Sequence, residues 1–289
     1  MNFINRRRKI TAIIVASLFL TNLSLSAKSM GDKVKPEEVI AKHIEALGSA
    51  QARSSTRSRI VAGTSLMNLK TGGRGNSSGP ALLASQNGRV LLKAEFNSAT
   101  YPFEKFGFDG GKLHARQYAP GIRSPLAEFF LSHDTTFSEG LIGGTLSSAW
   151  PLLNLTERGA KVQYAGTEKI DGRQAQKLKY TPRQGTELKI TIYIDAETFQ
   201  HLRTVYEREI AAPMGTVPAA SASMRGMSYK LVEDFRDFRK EGDLTLPHTY
   251  TIEYSVSRLN QPLALEWTFN FTRFTFDYPI DEKEFLADT

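Results

Sequence analysis

From residue 55 onward the chain runs in short stretches where apolar and polar side chains alternate. "ELKITIYIDAETFQHLRTVYEREI" (187–210) shows this most clearly. Leu188, Ile190, Ile192 and Ile194 take every second position, and Lys189, Thr191, Tyr193 and Asp195 fill the gaps. Period two puts one set on each face of a strand. Asp195-Ala196-Glu197-Thr198 reads as a turn into a second β-rich run. The same alternation recurs as Val90, Leu92, Ala94 and Phe96, as Tyr250, Ile252, Tyr254 and Val256, and as Leu263, Leu265, Trp267, Phe269 and Phe271. Asn87-Gly88, Asp109-Gly110-Gly111, Asp171-Gly172 and Glu241-Gly242-Asp243 punctuate the runs as turns.

Two stretches break the rhythm. In "KPEEVIAKHIEALGS" the spacing of Ile40, Ile44 and Leu47 predicts one amphipathic helix, with Pro36 and two glutamates at its start and Gly48 at its end. Residues 123–155 have no period of two. Leu126, Phe129 and Phe130 share one short helix, and Leu141, Ile142, Leu146, Trp150, Leu152 and Leu153 imply further short helices loosened by Gly140, Gly143 and Gly144. About ten strands with helices set apart from them imply an α+β fold: an antiparallel sheet with its helices on one face. A two-sheet sandwich, with 123–155 as a surface excursion, is the rival architecture. Residues 211–226, rich in Ala, Pro, Ser and Gly, read as a mobile loop.

The N-terminus changes the compartment. Arg6, Arg7, Arg8 and Lys9 precede an apolar run from Ile10 to Leu20, and small polar residues follow to Ala27. This is the pattern of a cleavable signal peptide over 1–27, followed by a linker over 28–35 and one domain over 36–289. It implies export to the periplasm; secretion, or an uncleaved N-terminal anchor, is the alternative. The formal charge of +7 is partly the leader's. Those four cations are among 37 Lys and Arg, and no acidic residue precedes 28, so 33 basic side chains face 30 acidic ones over the remainder. That balance is too even for a nucleic-acid-binding surface. With no cysteine, disulfides, thiolate chemistry and cysteine-held zinc are excluded.

No local motif names a reaction. His43, His114, His133, His201 and His248 show no metal-ligand spacing, and neither H-E-x-x-H nor G-x-S-x-G occurs. The five read as surface or structural histidines, with His133-Asp134 the best local pair for a dyad. Glu233, Asp234 and Asp237, interleaved with Arg236, Arg239 and Lys240, read as a charge-balanced solvent face. The glycine-rich "KTGGRGNSSG" (70–79) lacks phosphate-loop spacing and reads as a hairpin loop.

The order of parts, with the hairpin pair "GTEKIDGRQAQKLKYTP … LKITIYIDAETFQHLRTVYE", resembles the LolA/LolB-like superfamily of periplasmic lipoprotein-sorting carriers. The matching positions are Gly166, Gly172, Ile194, Asp195 and Thr198, and the closing "LPHTYTIEY … FTRFTFDYPIDEKEF" is also similar. The resemblance implies an unclosed, curved half-barrel whose concave face is covered by helices. It also implies a carrier or chaperone for a hydrophobic ligand: lipid, or the acyl chains of lipoproteins. On that reading Leu188, Ile190, Ile192, Ile194, Tyr250, Ile252, Tyr254, Trp267, Phe269 and Phe271 face a cavity. Phe129, Phe130, Leu141, Ile142, Leu146 and Trp150 belong to a lid over it. The expected protein is a non-enzymatic monomer without cofactor or metal. Its partners are lipid or lipidated protein and membrane-bound envelope components, not nucleic acid. A scaffolding envelope protein with a self-filled core is the alternative, and a hydrolase with a non-local site comes third.

Overall fold

The structure is a computed structural model that describes residues 34–71, 75–211, 226–257 and 262–286. The described residues belong to one compact unit within Val34–Thr289. The leader, most of the linker and nearly all of the loop read at 211–226 lie outside the described residues.

Among the described residues twelve strands form one sheet: β1 (Ser58–Leu69), β2 (Asn76–Gln86), β3 (Arg89–Glu95), β4 (Phe103–Phe108), β5 (Leu113–Ala115), β6 (Lys161–Ile170), β7 (Arg173–Thr181), β8 (Lys189–Asp195), β9 (His201–Ile210), β10 (Met227–Glu241), β11 (Leu244–Ser257) and β12 (Leu263–Phe276). The sequence leads to about ten because alternation runs unbroken through tight hairpins. Every pairing is antiparallel, and the spatial order is β5-β4-β3-β2-β1-β12-β11-β10-β9-β8-β7-β6. The sheet is curved and unclosed, an α+β half-barrel rather than a two-sheet sandwich.

Local chemistry sets the turns. Asn87 (φ 51°) with Gly88, and Asp171 (φ 49°) with Gly172, take the two left-handed positions of tight hairpins. Asp195 Oδ1 accepts from Thr198 N at 2.7 Å and Glu197 N at 3.0 Å, closing the turn between β8 and β9.

The order is that of two meanders. One runs from β1 to β5 and the other from β6 to β12, and they meet where β1 pairs β12. The chain must therefore pass from the β5 edge to the β6 edge, and residues 116–160 make that passage across the concave face. This insert holds α3 (Pro125–Ser132), α4 (Thr135–Ser138), 3-10 turns at Gly144–Leu146 and Pro151–Leu153, and α5 (Leu155–Arg158). Ser124 caps α3 by accepting from Ala127 N at 2.9 Å, and Pro125 opens it. Upstream, α1 (Pro36–Leu47) buries Val39, Ile40, His43 and Leu47 while Ile44 is half-buried; α2 (Ala50–Ser55) follows.

Insert and sheet share one core. Trp150, Phe130 and Phe137 from the insert are fully buried with Trp267, Phe106 and Tyr206 from the sheet. A row of rings crosses the sheet from β9 to β12, with centroids 4.3 Å apart for His201–Phe235, 5.1 Å for Phe235–Tyr250 and 5.3 Å for Tyr250–Phe269. Phe235–Tyr250 and Tyr250–Phe269 are directly opposed ladder partners, the geometry in which cross-strand rings interact. On the opposite face the C-terminal segment places Phe285 against Ala84 and Leu91.

Candidate functional site

The insert meets the sheet through buried polar contacts as well as apolar ones. Glu233 on β10 accepts from Gly143 N at 2.8 Å and Tyr250 Oη at 2.5 Å through Oε1, and from Tyr206 Oη at 2.6 Å through Oε2. Burial pushes its carboxyl up to about 7, and the three donors oppose that rise. Glu104 on β4 accepts from Ser124 Oγ at 2.9 Å and from Tyr101 Oη, and burial likewise raises it to about 7. Arg59 on β1, 1% exposed, donates from Nη1 to Thr145 O at 2.6 Å and Ser147 O at 3.4 Å. Burial lowers its guanidinium to about 10, leaving it protonated at neutral pH. From β2, Ser85 Oγ accepts from Ser148 N at 2.8 Å. From α1, His43 donates from Nδ1 to Phe199 O at 2.8 Å and accepts at Nε2 from Trp150 Nε1 at 2.9 Å. Burial lowers that imidazole to about 4, so it is neutral.

The insert's glycines serve this close contact. Gly143 (φ 80°) and Gly144 (φ 48°) have left-handed backbones. A Cβ on Gly143 would lie 2.5 Å from Leu83 Cδ1, and one on Gly144 would lie 2.5 Å from His201 Nδ1. The reading of these glycines as loosened helix is corrected: they are where the insert backbone rests on β2 and β9.

At one end of the half-barrel, α3 and the strand ends beside it border a cleft of about 920 Å³. Its apolar wall is Leu69, Phe129, Tyr229, Tyr254, Val256 and Leu263. The Phe129 and Tyr254 rings are 5.3 Å apart, and the Phe129 ring is 4.9 Å from His133. The volume lies in the range of small-molecule sites. Arg123, Glu128, His133 and Arg208 supply polar groups.

Of the residues the sequence nominates, Tyr254 and Phe129 wall this cleft. Leu188, Ile190, Ile192, Ile194, Tyr250, Ile252, Trp267, Phe269 and Phe271 are buried in the sheet's core face, packed with Phe130, Leu141, Ile142, Leu146 and Trp150 of the insert. His133 and Asp134 part company: the first lines the cleft, the second a polar cleft at Asn87–Gly88 and Glu139. Of the five histidines read as surface or structural, His43 and His201 are structural and lie in the core. The acidic cluster read as a solvent face also divides. Asp234 pairs with Arg203 and Asp237 with Arg239, but Glu233 is fully buried. A period-two signal marked it, since Leu231, Glu233 and Phe235 share one register. Arg59 with Val61, and Glu104 with Phe106 and Phe108, follow the same rule: a charged residue at a core position of an alternating strand. Among the described residues no three His, Asp or Glu side chains are grouped to hold a metal.

Over 87% of its length the chain is similar to the LolA superfamily protein NE2245 from Nitrosomonas europaea, with 12% identity, 97% of that chain covered and a TM-score of 0.46. That likeness is distant. An outer membrane lipoprotein-sorting protein domain from Vibrio parahaemolyticus is similar over 86% of this chain and 96% of its own, at 12% identity and a TM-score of 0.41. A DUF1329 family protein from Desulfovibrio piger is similar over 86% of this chain and 96% of its own, at 11% identity and a TM-score of 0.40. These likenesses concern fold alone. No family model and no curated protein matches the chain.

Proposed function

We propose that this chain is an exported, non-enzymatic envelope protein that binds the acyl part of a lipid or lipidated protein and carries it in the cleft between α3 and the sheet. The cleft itself carries the reading: about 920 Å³ walled by Phe129, Tyr254, Val256, Leu263 and Leu69. An acyl chain lying there removes apolar surface from water on both sides, at roughly 0.8 kcal/mol per buried methylene. The periplasmic location rests on the N-terminal leader pattern, and membrane-bound envelope components are the expected donors and acceptors of the cargo.

One observation favours a second reading, a scaffold with a self-filled core. Beyond the cleft, the concave face is packed by the insert's own side chains.

Titration with a neutral fluorescent lipid, the methyl ester of cis-parinaric acid, separates the two. A carrier binds the ester with a Kd of about 1 µM, and Val256→Trp, which fills the cleft, weakens it about tenfold or more. Native mass spectrometry of gently purified protein is then expected to show a co-purifying acyl lipid that the tryptophan variant lacks. An ester that does not bind, or that binds the filled variant equally well, rejects the carrier and leaves the scaffold.

A further inference from the structure

The cleft has a charged margin that an apolar ligand alone does not use. Arg123, at the entrance to α3, and Arg208, on β9, both line it. Arg123 Nη1 lies 3.7 Å from Glu128 Oε1, beyond hydrogen-bond length, and its Nε is enclosed with no acceptor among the described residues. Arg208 has Glu187 as its ion-pair partner. In both pairs the arginine is the inner member. The Arg123 and Arg208 side chains are 29% and 28% exposed, whereas those of Glu128 and Glu187 are 59% and 69% exposed. With carboxylates this exposed, solvent screens both pairs and each contributes little. His133 adds no charge, because burial and then the Arg208 cation hold its imidazole below the usual value.

Resting on the acyl-site reading above, we propose that the ligand is an anionic amphiphile, its carboxylate or phosphate head held by Arg123 and Arg208 and its chain laid against Phe129, Tyr254 and Val256. A guanidinium presents paired N–H donors at the spacing of two anionic oxygens, and such charge-assisted bonds are the strong ones. A neutral ester or glyceride head brings no charge to either cation.

The test compares cis-parinaric acid with its methyl ester on the full chain. The acid is expected to bind about tenfold more tightly than the ester. Arg123→Gln and Arg208→Gln are expected to reduce that preference to about threefold or less, the acid losing more affinity than the ester, with melting temperature recorded to separate lost binding from lost fold. High salt narrows the preference in the native protein. Competition identifies the source of the oxyanion. A lysophosphatidic acid displaces the probe more strongly than a monoacylglycerol of equal chain length, and millimolar inorganic phosphate leaves the probe in place. Equal binding of acid and ester, or a preference that survives both substitutions, overturns the anionic head and spares the acyl site. Displacement by inorganic phosphate alone overturns the amphiphile in favour of a small-anion site. If neither probe binds, the acyl-site reading fails and this inference fails with it.

Discussion

Glu233 shows what one residue does in this core. Its carboxyl is raised from 4.5 to about 7, so between those values the folded protein holds a proton that the unfolded chain has released. Stability conferred by the neutral acid is therefore present below pH 4.5, falls as pH rises through 7, and is level above that, a loss of roughly 3 kcal/mol. His43 acts in the other direction. Its value is lowered from 6.5 to about 4, so the unfolded chain takes up the proton first and stability falls as pH drops through that window. Replacing Glu233 with Gln removes the first dependence only. In urea denaturation the Gln variant is expected to gain on the native protein between pH 5 and pH 8 by roughly 2 kcal/mol. A difference that stays constant with pH contradicts a neutral Glu233.

At the scale of elements, the insert is a cover held by point contacts from several strands and α1. Arg59 supplies the contact from β1, through Thr145 O and Ser147 O. Arg59→Met keeps most of the volume but removes the donors, leaving the enclosed Thr145 carbonyl without one while Ser147 O keeps Trp150 N, at a cost of roughly 1–3 kcal/mol. The local signature is what matters. Amide hydrogen exchange is expected to quicken about tenfold or more over residues 143–150 while the amides of β8 to β11 keep their protection. A uniform change across the sheet shows that Arg59 supports the whole fold and not the cover.

At the scale of the molecule, the strands and most turns are legible in the sequence because period two and dipeptides such as Asn87-Gly88 are local signals. Which strand lies beside which is not local. Alternation assigns Ile190 and Trp267 to a core face, but nothing near either residue states that the two meanders join at β1 and β12. The buried charges are legible once register is followed, since Glu104 and Glu233 each interrupt an apolar face. The cleft is the least legible part. Phe129 and Tyr254 come from a short helix of the insert and a strand far apart in sequence, and the open volume beside their contact depends on how α3 seats on the sheet. For the same reason the aliphatic face of β8 is nominated for a cavity and lies under the insert.

The seam between β1 and β12 has a mechanical consequence. Arg59 pairs with Phe276 and Leu69 with Leu265, so the entry of β1 and the exit of β12 lie side by side at one end of the ladder. Tension applied to the two chain ends, once α1 and α2 have peeled away, pulls these strands apart crosswise. It loads one rung at a time, as a zipper opens, and not all rungs together in shear. Optical tweezers gripping the termini are expected to record a gradual rip at low force. Handles placed at Lys70 and Asp277, at opposite ends of the seam, load the rungs together and are expected to require a several-fold higher force. Equal forces in the two geometries indicate that resistance to pulling lies elsewhere than in the seam.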